Sequence, residues 1–345
     1  MVGPPSPLAR AELGEQRLVR GARSAAPGPR RRGGADGAAA RRGDGTRGLS
    51  RVLRVAQRPG DGRARLRLVD PDRRAARPHG AVTLAVGIVG CGKVARHHVP
   101  ALRAARGAEL VAAFDVDTAA ARATGAALAS PLAELIDRVD LVAVCTPPET
   151  HADVAFVALA AGRGVLVEKP LAATLDDADR IVAAAQGLTA ATGFQLRCHR
   201  KVPARAGSIH GIWGGPGAAT VGPLLDRAVH HVDLWRALLG DEVARARVTE
   251  TADGVRLEAV MRGGAEPYVD LPADGPARNE LVVDGRRIDL YAMDGMLGRL
   301  RHWRELGRGG PYQSAFVAQW EAIAAGRPPA TVADGRRALE IVLSS

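Results

Sequence analysis

Apolar positions follow two different rhythms along the chain. Short continuous runs, LAVGIV (84–89), ELVAAF (109–114), DLVAVC (140–145) and GVLVE (164–168), are separated by Ala-rich stretches of helical periodicity such as HADVAFVALAAG (151–162). Strands covered on both faces lose their polar alternation, so this pattern predicts a parallel sheet with helices on either side. Thr174 followed three residues on by Asp177 predicts a capped helix start over 174–185. Beyond 240 the rhythm shortens. VARARV (243–248), VRLEAVM (255–261) and LVVDGRRIDLYA (281–292) alternate with period two. That predicts an antiparallel sheet with one covered face, with Asp284-Gly285 as a hairpin turn. Closing helices are expected over 314–326 and 334–343.

Charge changes this picture only at the N-terminus. The formal net charge is +11, yet residues 1–82 alone hold nineteen arginines against seven acids, leaving the remainder close to neutral. That basic stretch is rich in Arg, Gly, Ala and Pro and has little apolar periodicity. It is expected to be a disordered extension, or upstream sequence translated from a misplaced start; an RNA-binding arm is the alternative, and no nucleic-acid partner is expected. No apolar run approaches the ~18–20 residues of a membrane span. Three scattered cysteines, at 91, 145 and 198, fit a reducing cytoplasm. The expected organisation is 1–82, then a nucleotide-binding domain over 83–196, then a substrate-binding and oligomerisation domain over 197–345.

At the first strand-to-helix turn stands GCGKVA (90–95). Gly90 permits a tight turn, Gly92 lets a pyrophosphate approach the backbone, and Ala95 allows close helix packing, with Lys93 and Val94 opening the helix. Asp115 ends the second apolar run, placed to accept hydrogen bonds from a ribose and to repel a 2′-phosphate, which favours NAD over NADP. These features define the expected fold class: α/β, a Rossmann doubly wound parallel sheet followed by an α+β domain with a largely antiparallel sheet. In such sheets ligands lie beyond the carboxyl ends of the strands, so Thr146-Pro147 and Glu168-Lys169-Pro170 are directed into a crevice. Pro170 bars Lys169 from helical conformations. In DRAVHHVDLW, Asp226, His230 and Asp233 fall at i, i+4 and i+7, one helical face. An imidazole with a carboxylate one turn away suits general-base work. His231 should point elsewhere. The same trio has ligand chemistry for a metal, but no metal is expected.

Taken with CTPPETH (145–151), EKP (168–170) and LLDRAVHHVDLWRALLG (224–240), the sequence from about 83 onward resembles the Gfo/Idh/MocA oxidoreductases. The resemblance implies that Gly90, Gly92, Lys93, Val94, Asp115, Thr146, Pro147, His151, Glu168 and Lys169 hold the dinucleotide. It implies a cis peptide at 169–170 and a lysine that reaches the substrate. Lys169, Arg197, Asp226 and His230 are expected at the substrate, with His230 as base, Asp226 as its orienter and Lys169 as polarising group. A homo-oligomer through the open sheet face is also implied. The Gly-rich stretch 207–222 is short for the family and is expected to have lost or clipped a sheet strand. The expected activity is NAD(P)-dependent oxidation of a secondary alcohol in a sugar, cyclitol or related polyol. An NAD-dependent glycosidase and a silent NAD-binding sensor or partner protein are the alternatives.

Overall fold

The computed structural model describes residues 83–215, 222–292 and 310–345; the basic stretch 1–82, with its expected disorder, lies outside the described residues. Six strands, β1 (Leu84–Val89), β2 (Ala108–Phe114), β3 (Ala127–Leu128), β4 (Leu141–Val144), β5 (Gly164–Val167) and β6 (Ala190–Thr192), form one sheet in the order β3-β2-β1-β4-β5-β6. Every pairing in it is parallel. Helices α1 (Ala95–Ala104), α2 (Thr118–Ala123), α3 (Leu132–Arg138), α4 (His151–Ala160) and α5 (Leu175–Ala184) make the crossovers. All four residues of β4 and of β5 are buried, which explains their unbroken apolar runs. The expected cap of α5 is formed, with the Thr174 side chain accepting from the Asp177 N–H. Strand order reverses direction between β1 and β4, and this switch point opens the crevice that such sheets use for ligands.

The second sheet comprises β7 (Ile209–Gly214), β8 (Val243–Thr251), β9 (Gly254–Met261), β10 (Tyr268–Pro272), β11 (Arg278–Val283) and β12 (Arg286–Asp289), in the order β12-β11-β7-β10-β9-β8. Its pairings are antiparallel except β7 with β10. Asp284 (φ 49°) and Gly285 (φ 77°) turn the β11–β12 hairpin with the two positive φ angles that a two-residue loop favours. One face is covered by α6 (Val229–Leu239), whose Val229, Val232 and Trp235 pack with Leu257, Val269 and Leu281.

The strand expected to be missing is present as β7, and it lies inside the sheet between β10 and β11. Its sequence, IHGIWG, hides it because a core-facing position is glycine. A Cβ at Gly211 would lie 2.3 Å from Cε1 of His231. The imidazole of α6 therefore fills the space where an apolar side chain would normally announce a strand. His231 is thus directed at the sheet, away from its neighbour's task.

After the second sheet the chain returns to the first. Helix α7 (Gly310–Ala324) packs on α1, and its Phe316, Val317, Trp320 and Ile323 join the core around Ile88 and Leu102. Helix α8 (Val332–Leu343) contacts α5 and α6 and so bridges both layers. The 197–345 stretch, expected as one unit, therefore supplies cover to both sheets.

This return builds a buried polar chain. The Trp320 indole donates to Nδ1 of His98 at 3.2 Å, and Nε2 of His98 lies 2.8 Å from Oε1 of Glu168. An indole N–H only donates, so Nδ1 is the acceptor, and Nε2 carries the proton given to Glu168. Gly193 leaves room for the carboxylate, since a Cβ there would sit 2.4 Å from Oε1. Burial pushes the Glu168 pKa up, but the His98 hydrogen bond and the Lys169 charge outweigh it and hold the group below its usual value. Replacing His98 by Leu strands this carboxylate, and urea unfolding near neutral pH should show a loss of about 3 kcal/mol. Because the folded pKa of Glu168 is depressed, its contribution is complete above the ordinary carboxyl range and is lost as pH falls through the folded value. The gap between wild type and His98→Leu should therefore narrow below about pH 4; a gap independent of pH would show that packing alone is at stake.

Candidate active site

The crevice is built first by glycine. Gly90 has φ +88°, and a Cβ there would lie 2.6 Å from the carbonyl carbon of Cys145 and the nitrogen of Thr146. Only glycine lets the end of β1 run this close to the end of β4. At Gly92 a Cβ would meet nothing within 4 Å, so the turn is open on that side. Lys93 is exposed and Val94 half-buried at the start of α1, which has neither a side-chain cap nor an acid in its first turn. Asp115 lies against this turn, accepting from the Cys91 N–H at 2.6 Å and the Asp117 N–H at 2.8 Å. Burial, then the Asp115 charge, pushes the Cys91 thiol up to about 12, so it is no nucleophile. Open space, uncapped helix N–H groups and a carboxylate at the rim fit a pyrophosphate and a ribose.

Next come the ends of β4 and β5. Thr146 is buried, and its Oγ1 has no hydrogen-bond partner. Pro147 opens a short turn of 3-10 helix over Pro148–Thr150 that leads into α4. His151, 1% exposed, braces the two strand ends, with Nδ1 2.9 Å from the Pro170 carbonyl and Nε2 2.9 Å from that of Thr146. It therefore positions the crevice wall from behind. Burial lowers its pKa, and a neutral ring can donate to only one of these carbonyls at a time. The Lys169–Pro170 peptide is cis. The Lys169 ammonium donates to the Asp226 carbonyl at 2.8 Å and to its Oδ1 at 2.6 Å, joining the first sheet to the segment that enters α6.

That segment departs from the expected single helical face. Residues Leu224–Ala228 form a π-helical turn before α6 begins at Val229. Its i→i+5 bonding adds a residue to the turn, so the i, i+4, i+7 register does not carry through. Asp226 consequently serves Lys169, with no hydrogen bond to His230, and its expected role as orienter of the imidazole is not what the geometry gives. The turn is tied to β7 by Arg227, which donates to the carbonyls of Gly215 (2.8 Å) and Trp213 (3.4 Å). Asp233 belongs to a third arrangement. Arg197 forks onto it at 2.6 and 2.8 Å and also donates to the Pro329 carbonyl, and its guanidinium lies 3.3 Å from Asp334. Arg197, expected at the substrate, is thus consumed in fastening α6 to the start of α8.

His230 itself is 2% exposed, and its Nδ1 is buried without a partner. Its ring lies 5.2 Å from that of Trp213 and 5.5 Å from that of Phe194. Burial first, then the Lys169 charge, pulls its pKa well below 6.5, so it is neutral and able to accept a proton. Tyr312 completes the surroundings, accepting a hydrogen bond from Gln195 at 3.0 Å with its ring edge against Tyr291. Among the described residues no cluster of three or more His, Cys, Asp or Glu side chains is arranged to hold a metal.

His98, Trp320, Trp213 and Tyr312 did not figure among the expected site residues. His98 left a signal, because with Ala95 and Leu102 it falls on the buried stripe of α1. A histidine on such a stripe needs a buried partner. The others are brought in by long-range return of the chain and leave none.

Residues 84–193 match the Gfo/Idh/MocA family, described as an oxidoreductase family with an NAD-binding Rossmann fold. Inositol 2-dehydrogenase 2 of Saccharopolyspora erythraea is 34% identical over 207 residues, covering 52% of this chain and 60% of that protein. An inositol 2-dehydrogenase of Ralstonia nicotianae is 29% identical over 275 residues, covering 65% of this chain and 81% of that protein. The chain thus spans about three fifths of the length of the first of these relatives. Among solved structures, myo-inositol dehydrogenase from Lactobacillus casei, in complex with NAD(H) and myo-inositol, is similar with a TM-score of 0.57 at 20% identity. That likeness covers 76% of this chain and 93% of the other, and it speaks to the fold alone. No described helix is long and apolar enough to cross a membrane. With the glycine turn and the Glu-Lys-Pro strand end in place, residues 84–193 carry the NAD-binding Rossmann fold of the Gfo/Idh/MocA oxidoreductase family.

Proposed function

We propose that the protein is an NAD-dependent dehydrogenase that oxidises a secondary alcohol of a cyclitol, sugar or related polyol. The observation that carries this reading is the meeting of Lys169 with Asp226, four residues before a buried, neutral His230. The names of the relatives, inositol 2-dehydrogenases among them, support the substrate class. When bound, NAD supplies the hydride acceptor. Gly90, Gly92 and the start of α1 hold its pyrophosphate, and Asp115 accepts from a ribose hydroxyl. Lys169, aimed by Asp226, donates a hydrogen bond to the reacting hydroxyl oxygen, and His230 takes the proton. Each of these groups is set in place before substrate arrives, so the protein's contribution is orientation plus one proton transfer.

We further propose that a second copy docks on the open face of the second sheet. There His210, Arg245, Arg247, Glu258, Glu266 and Tyr268 are among the residues lining a trough of about 610 Å³. The three cysteines are free, which supports a reducing compartment, the cytoplasm.

Reduction of NAD, followed by nicotinamide absorbance over a panel of polyols, tests the activity. Lys169→Met and His230→Gln should each lower kcat by about 10²–10⁴-fold while the Kd for NAD stays within a few-fold. Full turnover in either variant would remove that residue from the chemistry. Since burial and Lys169 depress the His230 pKa, the base is already deprotonated at pH 7. The acid limb of kcat/KM should therefore lie below pH 6.5. Asp115→Ala should move the NAD-to-NADP preference toward NADP by about tenfold, equivalent to ~1.4 kcal/mol. Retained preference would place ribose recognition elsewhere.

A further inference from the structure

Asn279 is an anomaly in β11. It stands on the covered face of the sheet, in register with Leu281 and Val283, where an apolar side chain is the rule. None of its surface is exposed, and both Oδ1 and Nδ2 lack a hydrogen-bond partner. A buried carboxamide without partners carries an uncompensated desolvation cost, so a residue kept in this state calls for an external partner.

Its position says what that partner is. Asn279 lies directly opposite Trp213 of β7, and side chains opposite one another on one face of an antiparallel pair are nearest neighbours. The Trp213 ring is in turn 5.2 Å from that of His230. The Tyr291 phenol lies against both Trp213 and Asn279, near enough for each to pull its pKa down against the larger effect of burial, yet at a geometry that leaves Oδ1 and Nδ2 of Asn279 unpaired. Asn279 therefore sits one side chain away from the imidazole, in a corner built of two aromatic rings. A carboxamide both donates and accepts, which matches a hydroxyl group and offers nothing special to a charged ligand. Flanking aromatic faces suit the C–H faces of a polyol ring.

We propose that Asn279 is a specificity residue, binding a hydroxyl of the polyol that the enzyme does not oxidise. This rests on the dehydrogenase reading above and deepens it. A site that hydrogen-bonds a substrate hydroxyl rejects the analogue lacking it, because its own buried groups are then left unpaired.

The test uses the full chain with NAD, assayed on myo-inositol, D-glucose and D-galactose, then on each singly deoxygenated analogue of whichever compound the wild type oxidises. Wild type should discriminate against one deoxy analogue by about 100-fold or more in kcat/KM. In Asn279→Leu that ratio should collapse to within about fivefold, through a raised KM at similar kcat, the mark of lost uniform binding. Its thermal midpoint should be no lower than that of wild type, since no hydrogen bond is lost and an unpaired amide is removed. Asn279→Ala makes the same comparison if the Leu variant does not fold. A ratio unchanged in the variant overturns the proposal while leaving the dehydrogenase intact. A wild type that binds NAD yet oxidises no polyol overturns both.

Discussion

The contact between Lys169 and Asp226 is the constraint on which the proposed chemistry depends. One partner ends a strand of the parallel sheet, and the other begins the segment that covers the antiparallel sheet. Their side chains are only 17% and 23% exposed, so the cost of desolvating both charges offsets much of their attraction and the pair adds little net stability. Its value lies in geometry. Two donations from a single ammonium, to a backbone carbonyl and to a carboxylate of the same residue, fix where a flexible four-carbon chain ends. Stability is supplied by neighbours that take no part in the contact. The Trp320–His98–Glu168 chain anchors the strand end from below, and the Arg197–Asp233 fork anchors α6 from behind. Burial pulls the Asp233 carboxyl up to about 6 against the opposing pull of Arg197, which shows how much that fork must offset.

A second constraint follows from the π-helical turn. A regular helix through Leu224–Leu239 would place Asp226 and His230 on one stripe, both competing for the same space. The extra residue of the turn separates them, turning Asp226 toward Lys169 while His230 stays beneath the Trp213 ring. The two charged groups therefore neutralise one another, and the imidazole is left uncharged beside them. Such turns cost backbone regularity and recur at functional sites. Here Arg227 repays part of that cost by filling the carbonyls of Trp213 and Gly215.

How far the sequence revealed this depends on the range of each interaction. The parallel sheet, the glycine turn, the Asp284-Gly285 hairpin and the Thr174 cap were legible because each is written within a few residues of itself. The cis Lys169–Pro170 bond was anticipated only through family resemblance. Strand β7 was misread because its apolar signal is borrowed: Gly211 supplies the vacancy and His231, twenty residues on, supplies the bulk. Arg197 was misassigned because a lone arginine near a site reads as a ligand until its acids are known. Asp233 and Asp334 lie 36 and 137 residues away, and nothing local marks them. Helix spacing failed at Asp226 for the simplest reason, since a π turn has no sequence signature that periodicity can detect.

Several of the polar atoms left without partners lie around the same crevice: Thr146 Oγ1, His230 Nδ1, Gln195 Oε1 and both ends of Asn279. In a core each would be a liability, because a lost hydrogen bond in a low-dielectric interior is not replaced by water. Clustered here, they have a common explanation in a ligand that carries hydroxyls. The surrounding frame is over-determined by buried pairs, and that surplus is what permits a polar, under-satisfied lining to persist. Unpaired buried polar atoms also occur at Arg163, His210, His231, Trp235, Ser314 and Gln319, so it is the grouping of His230 and Asn279 about the Trp213 ring that singles out this crevice.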